Sequence, residues 1–244
     1  MKKKPYILII DSGLGGLHIL AKARKLCPTT NFLYIADDNN LPYGNKSPNK
    51  ILNSIIAIYN RFRSCYQINA IVLACNTATA ATIDKLRLII TIPIIGTEPN
   101  IRAALSMNYQ RILTLATPLT VTLPRYLRLT TSKTSALTCP NLAQDIERAL
   151  MHNVTIDFND IIKQITAKNA DSIVLGCTHY NFIADKLKLL NLPIFDSIDG
   201  VAKQIRRVAS ALQSGTGNTI ILCTSMDSKK QNKYISYYKE LCNK

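Results

Sequence analysis

Short β-branched apolar runs recur along this chain, each followed by a small or polar cluster and then by a stretch with helical spacing. The runs are Tyr6–Ile10, Asn31–Ala36, Ala70–Ala74, Ile92–Ile95, Arg111–Ala116, Ser172–Gly176, Pro193–Phe195 and Thr219–Cys223. Continuous Ile, Val and Leu marks strands buried on both faces of a parallel sheet. Leu17–Leu26, Ser47–Tyr66, Thr79–Ile89 and Leu142–Met151 place apolar residues at helical intervals. Strands alternating with helices predict an α/β fold with mostly parallel sheets and right-handed crossovers.

The pattern also repeats internally. Ile71-Val-Leu-Ala-Cys75-Asn-Thr leads through Asp84-Lys-Leu to Pro93-Ile-Ile, and Ile173-Val-Leu-Gly-Cys177-Thr-His leads through Asp185-Lys-Leu to Pro193-Ile-Phe. The two blocks lie 102 positions apart, too long a period for a solenoid. They predict two similar three-layer α/β domains related by a pseudo-two-fold axis, with the active site in the cleft between them. There is no Gly/Ser-rich linker, so the crossings are expected near Gly96–Pro99 and Ala209–Gly215. That assigns residues 1–96 plus 210–244 to a domain carrying Cys75, and 97–209 to one carrying Cys177.

Composition narrows the class. The 244 residues are 47% hydrophobic, enough to bury a substantial core and too apolar for a disordered chain. A net charge of +15 raises nucleic acid as a partner. The cations are spread, however, from Lys2–Lys4 through Arg61/Arg63, Arg125/Arg128, Lys186/Lys188 and Arg206/Arg207 to Lys229/Lys230, and no nucleic-acid motif accompanies them. Spread charge reads as a solvated surface, so nucleic acid is not the expected partner. Seven cysteines without a C-x-x-C pair indicate reduced thiols, with no metal and no disulfide framework. The Lys-rich start is followed by too short an apolar run for an export signal, and no window suits a membrane span. The expectation is a soluble cytoplasmic protein.

In open parallel sheets, ligands bind beyond the carboxyl ends of the strands. Asp11-Ser-Gly-Leu-Gly-Gly16, Asp37 with Pro42-Tyr43-Gly44, Cys75-Asn76-Thr77, Thr117 with Thr120, and Cys177-Thr178-His179 all follow predicted strands. The glycine loop suits a tight turn or backbone N–H groups that bind a small carboxylate; it lacks G-x-G-x-x-G spacing for a nucleotide. Cys27, Cys65, Cys223 and Cys242 read as packing or surface thiols, and Cys139 stays unassigned. Cys75 and Cys177 differ, since pseudo-symmetry sets them opposite each other. One thiolate and one thiol so placed can take a proton from one face of a carbon and return one to the other, which is cofactor-independent racemisation. A Cys177–His179 nucleophile–base pair for acyl transfer leaves the second cysteine without a role, and metal ligation by those two residues lacks spacing partners. Asp11 is placed to tune Cys75 and His179 to tune Cys177. Ser12, Asn76, Thr77, Thr117, Thr120 and Thr178 can donate to a carboxylate.

These blocks resemble the glutamate racemases of the aspartate/glutamate racemase superfamily. The match runs through Asp11–Leu17, Pro42–Gly44, Ala74–Ala78, Gly96–Pro99, Ala116–Val121, Cys139-Pro140 with Glu147, and Leu175–Tyr180, in family order. The resemblance implies interconversion of L- and D-glutamate without cofactor, supplying D-glutamate for peptidoglycan, by a homo-oligomer such as a dimer. It implies Cys75 and Cys177 as acid/base thiols assisted by Asp11, Asp37, Glu147 and His179. Substrate contacts are implied for Asp11, Ser12, Pro42, Tyr43, Gly44, Asn76, Thr77, Thr117, Thr120, Thr178 and His179. Asn181 after His-Tyr, Asn100 after Glu-Pro, and the Asp37-Asp38-Asn39-Asn40 segment depart from the usual pattern. A related aspartate or hydantoin racemase, or a basic binding protein on the same fold, are the alternatives.

Overall fold

The computed structural model describes residues 4–212 and 215–244. Lys2 and Lys3 of the spread cations, and positions 213–214 of the second expected crossing, lie outside the described residues. The described residues form nine strands: β1 (Pro5–Asp11), β2 (Asn31–Ala36), β3 (Gln67–Leu73), β4 (Ile94–Gly96), β5 (Ile112–Ala116), β6 (Thr134–Thr138), β7 (Ser172–Gly176), β8 (Ile194–Phe195) and β9 (Thr219–Cys223). The helices are α1 (Leu17–Leu26), α2 (Pro48–Cys65), α3 (Asn76–Ile89), α4 (Ile101–Ser106), α5 (Pro118–Thr122), α6 (Pro124–Leu127), α7 (Leu142–His152), α8 (Asn159–Ala167), α9 (Ala184–Leu187), α10 (Ile198–Ala209) and α11 (Ser228–Asn243).

The strands form two sheets, ordered β4-β3-β1-β2-β9 and β6-β5-β7-β8. Every strand pair is parallel. Read from its other edge, the second sheet runs β8-β7-β5-β6, the order of β4-β3-β1-β2 in the first. The fold is therefore α/β with two like-ordered sheets, and β3 and β7 occupy equivalent places. Beyond those strands the copies diverge: β3 leads into a 14-residue helix, β7 into a 3-10 stretch, Thr178–Ile183.

One strand escapes the sequence pattern. In β6, Thr-Ser-Ala-Leu-Thr, only Leu137 is buried, because the strand lies at a sheet edge. Central strands obey the pattern closely. Ile7 and Ile9 of β1 enter a core shared with Leu17, Leu20, Ile205 and Tyr234, while Leu8 and Ile10 enter a second with Ile51, Ile55, Ile83 and Leu86. Each of these side chains, removed from water, contributes roughly 1.5–3 kcal/mol.

Residues 97–100 carry the chain from β4 to α4, whose Ile101 and Ala104 pack with Ile112 and Val174 of the second sheet. Within that crossing, the Thr97 hydroxyl donates to the Leu73 carbonyl (2.8 Å), and Asn100 Nδ2 donates to the Asp196 carbonyl (2.8 Å). Helix α10 lies in the core against α1, and β9 then pairs with β2, so the chain ends on the first sheet. Among the described residues, no helix is long and apolar enough to cross a membrane.

Candidate active site

The two sheets meet with the carboxyl ends of β1, β3, β5 and β7 close together, and many of the buried polar groups gather there. Asp11, Ser12, Asp37, Asn76, Thr77, Thr117, Thr120, Glu147, Thr178 and His179 are all buried, as are Cys75 and Cys177. Buried polar groups need partners, so the hydrogen bonds between them define the site.

Cys75 ends the β3 segment and caps α3, its Sγ accepting from the Ala78 N–H at 3.5 Å. Burial raises this thiol well above the ordinary range; negative charge at Asp11 and at Cys177 pushes the same way. The two cysteines are thus close enough to feel each other's charge, and Cys75 rests as the neutral thiol. Asp11 Oδ2 accepts from Thr178 Oγ1 (3.0 Å), tying the end of β1 to the end of β7. Burial raises the Asp11 carboxyl too, opposed chiefly by the charge of His179.

Cys177 has a different neighbourhood. His179 Nδ1 lies 4.0 Å from Cys177 Sγ, and His179 Nε2 lies 2.8 Å from Glu147 Oε2. Burial alone depresses the imidazole, but the contacts with Cys177 and Glu147 outweigh it and raise His179 well above its usual value. A cationic His179 is the positive neighbour that thiolate chemistry requires. Glu147 also accepts from the Leu14 N–H (3.0 Å) and the Tyr234 hydroxyl (2.6 Å). Tyr234, on α11, carries no local motif and was not anticipated from the sequence.

The glycine loop does not present all its N–H groups to a ligand. Gly13 N–H donates to Asp11 Oδ1 (2.9 Å) and Leu14 N–H to Glu147 Oε2, so the expectation of free donors fails at these two positions. The loop folds around the protein's own carboxylates because both are buried and need donors. Its glycines instead permit close packing: a Cβ on Gly15 would lie 2.6 Å from Thr178 Oγ1 and 2.7 Å from the His179 backbone nitrogen.

Hydroxyls knit the other side. Thr77, Thr117 and Thr120 form a triangle with Oγ1–Oγ1 distances of 3.0, 2.9 and 2.8 Å, one member following β3 and two following β5. Gly44 packs on Thr117, where a Cβ would approach to 2.7 Å. Asn76 stands apart, because both its buried Oδ1 and Nδ2 lack a hydrogen-bond partner. Unpartnered buried amide atoms make Asn76 a candidate ligand-binding group. Arg125 of α6 bridges Asp84 of α3 (2.8 Å) and Glu98 of the crossing (2.5 Å), bracing the halves nearby.

Asp37 is held by partners other than the thiols. Its carboxylate accepts from Tyr43 (2.7 Å), Asn40 (3.1 Å), Thr224 (2.9 Å) and Ser54. It reaches the site through Tyr43, which packs in the same core as Cys75. Pro42 follows a cis peptide bond from Leu41 and precedes the short 3-10 turn that carries Tyr43 and Gly44. Ser12 lies beside Asp11, its hydroxyl 3.4 Å from Oδ1. Among the described residues, no group of three or more His, Cys, Asp or Glu side chains is arranged to hold a metal ion.

Two buried thiols thus end equivalent strands, Cys177 beside the His179–Glu147 pair and Cys75 within electrostatic reach of Asp11. The chain belongs to the Asp/Glu/Hydantoin racemase family, which it matches over residues 15–205. It is 34% identical over 218 residues to a glutamate racemase of Clostridium acetobutylicum, covering 85% of this chain and 84% of that protein. A glutamate racemase structure from Bacillus anthracis superposes with a TM-score of 0.83 at 26% identity, covering 98% of this chain and 95% of the other. The fold is shared also with Escherichia coli glutamate racemase solved with L-glutamate and an activator: TM-score 0.84, 24% identity, covering 96% and 95%.

Proposed function

We propose that this protein interconverts L- and D-glutamate without a cofactor, by proton transfer through Cys75 and Cys177. One observation carries the reading: the two thiols end equivalent strands of two like-ordered sheets, yet each has its own acid/base partner. The thiolate takes the α-proton, the Cα–H electron pair delocalises into the adjacent carboxyl group, and the opposite thiol gives its proton to the other face of Cα. The second sulfur is left as the thiolate, ready for the reverse reaction. Asp11 serves Cys75, while His179 with Glu147 serves Cys177.

Asn76, with both polar atoms unpartnered, and the threonine triangle supply hydrogen-bonding groups for the substrate, with Ser12, Tyr43, Gly44 and Thr178 around them. Pro42 and Asp37 support Tyr43. The functional units are residues 1–96 with 210–244 and residues 97–209, α10 packing back across their boundary. The likeness to bacterial glutamate racemases supports a cytoplasmic homodimer that feeds D-glutamate into peptidoglycan, and hence cell-wall biogenesis and cell shape.

The test is solvent deuterium exchange. Purified protein in D2O should exchange the α-proton of both glutamate enantiomers, followed by proton NMR, while Cys75→Ala and Cys177→Ala should not racemise. Racemisation surviving either substitution refutes the two-thiol reading. Faster exchange of aspartate or a hydantoin reassigns the substrate, and salt-steep DNA binding without exchange points to a basic binding protein instead.

A further inference from the structure

The C-terminal helix reaches the catalytic centre at one point. Tyr234 of α11 is fully buried, and its hydroxyl donates to Glu147 Oε1 at 2.6 Å. The other oxygen of Glu147 receives the Leu14 N–H and faces His179 Nε2. Helix α7, which carries Glu147, packs with the second sheet. Leu14 and Tyr234 come instead from a loop after β1 and a helix after β9, both strands of the first sheet. Glu147 is therefore gripped from the opposite half on both of its oxygens.

We propose that Tyr234 is a positioning residue for proton transfer at Cys177: its hydroxyl fixes Glu147, which in turn fixes His179. A free carboxylate can rotate about its last torsion, which is broad and roughly two-fold. With Oε1 tethered, Oε2 is committed to His179, and the imidazole is held with Nδ1 toward Cys177. The serving apparatus of one thiol is thus completed by the far end of the chain, and only while the two halves are together. Asp11, which serves Cys75, is also held across the halves, by the Thr178 hydroxyl, but the last helix plays no part there. This inference rests on the racemase reading.

The same helix provides a matched control. Tyr237 lies one turn further on, and its hydroxyl donates to the Leu150 carbonyl of α7 at 2.9 Å. Tyr237→Phe removes a tether between the same two helices without touching Glu147. The experiment is the pH dependence of kcat/KM for racemisation by the full-length wild type, Tyr234→Phe and Tyr237→Phe, with far-UV melting curves for each. Besides Tyr234, the titratable groups around Glu147 are His179, Asp11, Tyr34 and Lys230, and both variants retain them. A carboxylate that loses a donor keeps its proton to higher pH.

Tyr234→Phe should lower the plateau about tenfold and move the acid limb of the profile to higher pH. Tyr237→Phe should leave the profile in place. Replacing Tyr234 by 3-fluorotyrosine keeps its shape and strengthens the donor, so the limb should move to lower pH; this arm decides the matter should the Phe variant not fold. L- and D-glutamate have equal free energies, so kcat/KM must stay equal in both directions, but kcat and KM should shift unequally between enantiomers. Matching profiles for Tyr234→Phe and Tyr237→Phe, or an unmoved limb with fluorotyrosine, overturn the proposal while leaving the racemase reading standing. A wild type that racemises neither enantiomer overturns both.

Discussion

Gly15→Ala probes how closely the two halves must meet. A methyl group there would sit 2.6 Å from Thr178 Oγ1 and 2.7 Å from both the backbone nitrogen and Nδ1 of His179, where ordinary contact begins near 3.4 Å. A hydroxyl rotor can turn away, but a backbone nitrogen cannot, so the Cys177–His179 segment must retreat by several tenths of an ångström. Overpacking of this kind costs roughly 1–3 kcal/mol, or about 2–4 °C of melting temperature per kcal/mol in a chain of this size. The larger effect should fall on activity, since a shift approaching 1 Å in a reacting group costs on the order of a hundredfold. Polarimetry of glutamate racemisation gives kcat/KM, and a melting curve separates misplacement from unfolding. Gly200→Ala is the counterpart: nothing lies within 4 Å of its added methyl, so α10 should gain about 0.5–1 kcal/mol with no loss of activity. A folded Gly15→Ala protein racemising within about twofold of wild type would refute the account of the loop as a packing surface.

Other outcomes follow from the same contacts. Burial raises the Asp11 carboxyl, so its ionised form costs stability above the folded-state value, and that cost disappears as pH falls toward the ordinary 3.8. Asp11→Asn should therefore melt higher than wild type at pH 7, converge with it toward pH 4, and lose racemase activity, as paired melting curves across that range would show; a lower melting temperature at pH 7 contradicts it. Asn76→Ala removes a side chain with no partner in the free protein, so KM for glutamate should rise about tenfold while stability holds or improves. An unchanged KM would remove Asn76 from the substrate contacts.

The central strands were legible because both their faces are buried, which makes β1, β2, β3, β5 and β7 continuous apolar runs. Strand β6 was not, because an edge strand with one buried side chain looks like a polar loop. Cys75 and Cys177 stood out through the repeat around them, and the matching strand orders explain why that repeat survives. Tyr234 was invisible for the opposite reason. Its hydrogen bond spans 87 positions, and helical periodicity speaks of burial without naming the acceptor. The glycine loop misled in part, since glycines ahead of a helix signal close approach without saying of what. Here the approaching groups are Thr178, His179 and Glu147.

The threonine triangle carries one more consequence. Three hydroxyls in a ring can each give one proton and take one, with acceptor lone pairs to spare, and the ring can run in either sense without moving a heavy atom. Every hydroxyl of the trio thus has a partner, unlike the Asn76 amide. A ligand oxygen that accepts from one of these hydroxyls must turn its O–H out of the ring and so break one side of it. Because Thr77 alone comes from the first half, the trio is complete only where the two halves meet, and it ties the end of β3 to the end of β5.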